Sequence, residues 1–188
     1  MAISRPAKKV FFLGDSFVGK SRLIYCMLND IAYTNYTQHA IDDHTTVFRV
    51  TESSTIKYDI IDVKANSLYF AFNCAEIAKS ADLIVMVYEA DNNASWKKCK
   101  KMLAMMADVS TKCKPVMLVG NKADRCSKSY THVNSTLPYL MNQRHYNYRI
   151  ANHFFVSALA SRNVAKLYAV VVKELGYVEH KNDAWSSL

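Results

Sequence analysis

The chain is poor in the two residues that bend a backbone most sharply: it has four glycines and three prolines among 188 residues. That scarcity excludes collagen-like, linker-rich and low-complexity architectures. No apolar run approaches the ~20 residues of a membrane-spanning helix. The five cysteines, at positions 26, 74, 99, 113 and 126, are scattered and odd in number. This fits reduced thiols in a cytoplasmic setting rather than a disulfide framework. Neither the cysteines nor the six histidines have metal-ligand spacing. The opening Met-Ala-Ile-Ser-Arg-Pro is not a secretory signal, and residue 2 is not the glycine that myristoylation needs. The closing Ala184-Trp185-Ser186-Ser187-Leu188 has no cysteine, so no lipid anchor is expected on this chain. The expected localisation is cytoplasmic, with peripheral membrane contact through a partner, and no nucleic-acid partner is expected.

What is present is a 51% hydrophobic chain with a net charge of +8, enough for one core and one domain over residues 1–188. The basic run Lys97-Lys98-Cys99-Lys100-Lys101 could favour acidic lipid or an acidic partner, but reads first as a solvated helix face. Two of the four glycines stand together in Gly14-Asp15-Ser16-Phe17-Val18-Gly19-Lys20-Ser21. Apolar Val10-Phe11-Phe12-Leu13 precedes this stretch as a strand. Residues 21–28 follow as a helix, with Leu23, Ile24, Met27 and Leu28 inward. Strand, tight loop and helix form the setting of a phosphate-binding loop. Gly14 and Gly19 let the backbone approach an anion, and the helix start aims N–H groups at it. Lys20 can reach the outer phosphates, and the Ser21 hydroxyl is a hard ligand for Mg²⁺.

Further along, residues 29–43 read as a long exposed loop, and 46–51 with 55–61 as a hairpin ending on Asp62. A helix is expected over 66–80, with Leu68, Phe72, Ala75 and Ile77 inward. A buried strand over 81–87 leads to a helix over 94–108 that turns Trp96, Leu103 and Met106 inward. The strand 115–119 runs into Gly120-Asn121-Lys122-Ala123-Asp124. Residues 127–152 are least legible, with one helix from Leu137 capped by Ser135 or Thr136. A last strand over 153–156 leads into Ser157-Ala158-Leu159. A helix over 162–175 closes the chain, stopped by Gly176. Strands alternating with helices predict an α/β fold with a mostly parallel sheet covered on both faces, and its site at the carboxyl ends of the strands.

Asn121-Lys122-Ala123-Asp124 narrows the ligand. The Asp124 carboxylate can accept the two donors on the guanine edge, which adenine lacks. The Lys122 stem can lie over the base, Asn121 can brace neighbouring loops, and the Ala158 N–H can donate to the guanine oxygen.

With these residues in hand, the chain resembles the small GTPases of the Ras superfamily over nearly its whole length. GDSFVGKS and the following YTNY are most similar to Rab and closely related branches. The resemblance implies a P-loop NTPase fold with a six-stranded sheet and five helices. It also implies GTP or GDP bound with Mg²⁺ and two switch segments. The implied nucleotide contacts are Asp15, Ser16, Phe17, Val18, Gly19, Lys20, Ser21, Arg22, Asn121, Lys122, Asp124, Ser157, Ala158 and Leu159. The implied metal-site residues are Ser21 and Asp62. Effectors or regulators would meet residues 30–45 and 62–80.

The switches depart from the family. Its Asp-x-x-Gly-Gln is replaced by Asp62-Val63-Lys64-Ala65-Asn66. Asn66 stands where the family's glutamine orients the attacking water, and it is one methylene shorter. The first-switch threonine falls on His39 or Ala40, with Thr37 early and Thr45 late. Tyr33 or Tyr36 could close over the nucleotide. Phe17 is expected to make a local hydrophobic contact. The leading expectation is a guanine-nucleotide-binding interaction module with weak or absent hydrolysis. A working switch that depends on an activating protein is the alternative. A P-loop kinase is disfavoured by Asn121 and Asp124.

Overall fold

The computed structural model describes residues 7–29, 44–50, 55–63, 67–109, 113–125, 130–142 and 147–176. Of the positions discussed above, Tyr33, Tyr36, Thr37, His39, Ala40, Lys64, Ala65, Asn66, Cys126 and residues 184–188 lie outside them, as do residues 30–43 and 64–66 of the two expected partner segments and the side chains of Thr45, Leu68 and Phe72.

The strands are β1 (Lys8–Leu13), β2 (His44–Val50), β3 (Thr55–Asp62), β4 (Leu83–Glu89), β5 (Lys114–Asn121) and β6 (Tyr148–Phe155). They form one six-stranded sheet in the order β2-β3-β1-β4-β5-β6. Five strands run parallel, and β2 pairs antiparallel with β3 at one edge. The helices are α1 (Lys20–Asn29), α2 (Ser67–Ser80), α3 (Asn93–Val109), α4 (Thr131–Asn134), α5 (Leu137–Asn142) and α6 (Val164–Glu174).

Each central strand is buried on both faces, and alternate residues serve two cores. Val10, Phe12, Val85, Val87, Met117 and Val119 pack with Leu23, Ile24 and Met27 of α1 and Leu167 and Val171 of α6. Phe11, Leu13, Ile84, Met86, Val116 and Leu118 pack with Ile77 of α2 and Trp96, Leu103 and Met106 of α3. Because β1, β3, β4, β5 and β6 run parallel, all five end at one rim.

The structure corrects three local expectations. Among the described side chains of α2, Cys74, Ile77 and Ala78 face inward, while Ala75 is exposed. The last strand starts at Tyr148, not at His153. Tyr148, Arg149 and Ile150 alternate buried and exposed, but a register shift that skips Ala151 cuts this short run off from the second half. A four-residue α4 precedes α5. Of the two candidates for the cap, Thr136 stands directly before α5, its carbonyl accepting the Leu140 N–H at 3.2 Å, but its hydroxyl accepts the indole N–H of buried Trp96 at 3.0 Å. Satisfying a buried donor takes precedence over a cap on a short surface helix.

No helix among the described residues is long and apolar enough to cross a membrane.

Candidate functional site

Gly14 follows β1 directly and has φ of 147°. A Cβ there would lie 2.0 Å from the Val87 carbonyl oxygen of β4. The loop therefore turns against β4 only with glycine at this point. Gly14→Ala should cost about 3 kcal/mol of folding stability, read as a lowered unfolding midpoint. An unchanged midpoint would show that the loop does not close on β4 in this way.

Gly19 has φ of 90°, and a Cβ there would meet Asn121 Nδ2 at 2.5 Å. Between the two glycines, Val18 is buried, while Asp15 is half-buried and Ser16 exposed. Phe17 is 91% exposed and has φ of 61°, so it makes no local hydrophobic contact, contrary to expectation. An aromatic residue in the left-handed region is strained by about 1 kcal/mol.

Lys20 opens α1 and is buried. Its Nζ donates to the Gly14 and Asp15 carbonyls, each at 3.1 Å. Burial pulls its pKa below the ordinary lysine value, and the Asp62 and Asp15 carboxylates partly restore it. Burial raises the Asp15 carboxyl, but the bond and charge of Lys98, the Ser16 N–H and Lys20 outweigh it and hold it low. Lys98 of α3 reaches Asp15 at 2.7 Å. The Ser21 hydroxyl donates to Asp62 Oδ2 at the end of β3. Two hard oxygens thus sit side by side at the mouth of the loop. Arg22 is half-buried near the Cys26 thiol.

The second half of the site comes from β5 and β6. Asn121, at the end of β5, is 2% exposed. Its Nδ2 donates to the Val18 carbonyl at 2.9 Å, and its Oδ1 accepts the Ala158 N–H at 3.1 Å. One amide thereby ties the first loop to the last. The Ala158 N–H, expected to face a base, is engaged by Asn121 and reaches a base only by sharing or exchanging that bond. Lys122 has φ of 61° and pairs with Glu89 at 3.3 Å. The Ser157 hydroxyl donates to Asp124 Oδ1 and accepts the Ala160 N–H at 3.0 Å. Asp124 is exposed. The desolvation that would penalise a wrong base therefore has to come from the base itself lying over the carboxylate. Leu159 is 42% exposed beside it in sequence.

The residues anticipated from sequence thus converge on one rim, at the carboxyl ends of β1, β3, β5 and β6. Sequence reasoning missed Glu89 and Lys98. Glu89 was findable as the first charge after a wholly apolar strand, on the rim where parallel sheets carry their sites. Lys98 was hidden in a lysine-rich run with nothing to single it out.

A phosphate loop after β1, in a sheet of this order, defines a P-loop nucleotide-binding fold. The chain belongs to the Ras family, whose model matches residues 9–176. It is a member of the Ras superfamily of small GTPases. It is 26% identical over 181 residues to the human GTP-binding protein Rhes, covering 90% of this chain and 66% of that protein. It is 23% identical over 179 residues to GTP-binding protein ypt5 of Schizosaccharomyces pombe, covering 94% and 82%. It is 26% identical over 174 residues to Ras-related protein YPTC6 of Chlamydomonas reinhardtii, covering 92% and 77%. The chain spans only 16% of Mitochondrial Rho GTPase 1 of Arabidopsis thaliana.

Proposed function

We propose that this protein binds guanine nucleotide as a Ras-superfamily module, hydrolyses GTP slowly or not at all, and works by engaging other proteins. The supporting observation is the pairing of two half-sites through Asn121, which joins Val18 in the phosphate loop to Ala158 beside Asp124. A polyphosphate fits the first half. Its cradle has no room for a Cβ at Gly14, and the buried Lys20 ammonium donates to loop carbonyls that a phosphate can replace. A guanine fits the second half, where Asp124 offers an exposed carboxylate steadied by Ser157.

Ser21 and Asp62 would hold Mg²⁺, Ser21 directly and Asp62 directly or through water. When bound, that ion supplies positive charge against the phosphates. Among the described residues no cluster of three or more His, Cys, Asp or Glu could hold a metal, so these two oxygens and the nucleotide itself would carry it. Asp15, Ser16, Phe17, Val18, Gly19 and Arg22 would line the phosphate side. Lys122 and Leu159 would flank the base.

Slow hydrolysis rests on Ala65 and Asn66, and on His39 and Ala40 where the family supplies a threonine. Such a protein presents residues 30–45 and 62–80 to partners in a state that the nucleotide holds rather than cycles. A bound ligand at concentrations far above its Kd stabilises a fold by several kcal/mol, so the nucleotide also acts as part of the core.

The test is to denature the purified protein and identify what it releases. GTP surviving purification supports this reading, whereas GDP alone favours an ordinary switch. No release, together with no calorimetric uptake of GDP or GTP, overturns nucleotide binding. Within the base site, Asp124→Asn should lower the preference for GDP over ADP by about tenfold or more, measured by competition. Retention of the full preference would remove Asp124 from base recognition.

A further inference from the structure

We propose that Glu89 is a positioning residue for the base, acting through Lys122; this rests on the guanine-nucleotide reading above. Lys122 is the strained member of its loop, a side-chain-bearing residue at φ of 61°. Backbone bonds fix the loop around it: Arg125 N–H to the Lys122 carbonyl at 3.1 Å and Ala123 N–H to the Val156 carbonyl at 3.0 Å. Neither fixes where the long side chain goes. The Glu89 carboxylate does, at 3.3 Å from Nζ.

Glu89 is itself well anchored. It lies opposite Asn121 in the β4–β5 register. The next residue, Ala90, donates its N–H to the Asn121 carbonyl at 2.8 Å. The Glu89 N–H donates to Ser95 Oγ at 3.0 Å, and its carbonyl accepts the Asn92 N–H at 3.0 Å. Asn92 in turn caps the start of α3, its Oδ1 accepting the Ser95 N–H at 3.1 Å. The carboxylate therefore projects from a frame made of β4, β5 and the first turn of α3. It pins the ammonium at one end, so the aliphatic stem of Lys122 is laid out in a single direction.

Both side chains of the pair are about a quarter exposed, at 24% and 25%. A pair at that depth adds little to folding. Its value is in orientation: a pinned stem loses less rotamer freedom when a flat ring settles on it. The stem touches a ring face and reads no edge. Glu89 therefore governs how long any purine nucleotide stays, and leaves the choice among purines to Asp124.

The test measures the dissociation rate of fluorescent GDP from the full chain and from Glu89→Gln, Glu89→Asp, Lys122→Ala and the Glu89→Gln, Lys122→Ala pair. Glu89→Gln should speed release about fivefold, the upper range of an exposed pair. Glu89→Asp should recover part of the loss. In the Lys122→Ala background the same Glu89→Gln change should have no effect, a result that a merely structural role would not give. The GDP-to-IDP affinity ratio should stay constant throughout. An unchanged release rate in Glu89→Gln, or an equal acceleration in the Lys122→Ala background, overturns the proposal while leaving guanine binding intact. Failure of the unsubstituted protein to bind GDP overturns both readings.

Discussion

Lys20→Ala should reduce affinity for GDP and GTP by about 10³-fold, the scale expected when one member of a desolvated charge pair is removed. The reasoning starts from burial. The ammonium sits inside the loop, 8% exposed, and its bonds to Gly14 and Asp15 are to neutral carbonyls. Those partners compensate lost hydration incompletely, which is why its pKa is lowered. The Asp62 and Asp15 carboxylates restore it only in part, and a phosphate chain supplies further counter-charge.

Two opposite pH trends follow. A lysine whose folded pKa lies below its unfolded value binds fewer protons when folded, so stability without ligand should rise with pH across that alkaline window. Nucleotide binding needs the ammonium, so affinity should fall across the same window. Calorimetric titration and thermal unfolding at several alkaline pH values check both signs. Affinity unchanged in Lys20→Ala would mean that the phosphates lie elsewhere.

Single-turnover hydrolysis of GTP with Mg²⁺ should run about 10²–10³ slower than in a small GTPase that carries glutamine after Asp-x-x-Gly, the scale of losing one positioned transition-state group. Asp62 still stands at the end of β3, where it receives the Ser21 hydroxyl. The Val63 N–H donates to the Phe12 carbonyl at 3.1 Å, so the chain leaves the sheet at a fixed point. Helix α2 begins at Ser67, directly after Asn66. Asn66 itself lies outside the described residues, but its amide is one methylene shorter than the family's glutamine and so has less reach toward a water. Asn66→Gln should recover part of the rate, and Ala65→Gly together with Asn66→Gln should recover more. An unsubstituted protein that already turns over at the family's ordinary rate would remove the slow-hydrolysis proposal.

The sequence disclosed the rim of the site better than its supports. Gly14, Gly19, Lys20 and Ser21 were legible because their chemistry is set by spacing within one turn of chain. Asn121, Asp124 and Ser157 were legible because each follows an apolar strand. Glu89 to Lys122 and Lys98 to Asp15 were not, since such pairs depend on which strand ends and helix faces become neighbours. Phe17 misled because an aromatic in a loop is expected to find cover, whereas the left-handed backbone there leaves it in solvent. The start of β6 was lost to a bulge that interrupts period-2 alternation at the place where polar Arg149 and Asn152 already obscure it.

Asn121 has a kinetic corollary. Its one carboxamide spans a gap of 103 residues in one direction and 37 in the other. Neither loop can swing outward alone without stripping that amide of a partner inside the protein. Ligand escape should accordingly be a single concerted opening, with mono-exponential release and no lingering species gripped at one end.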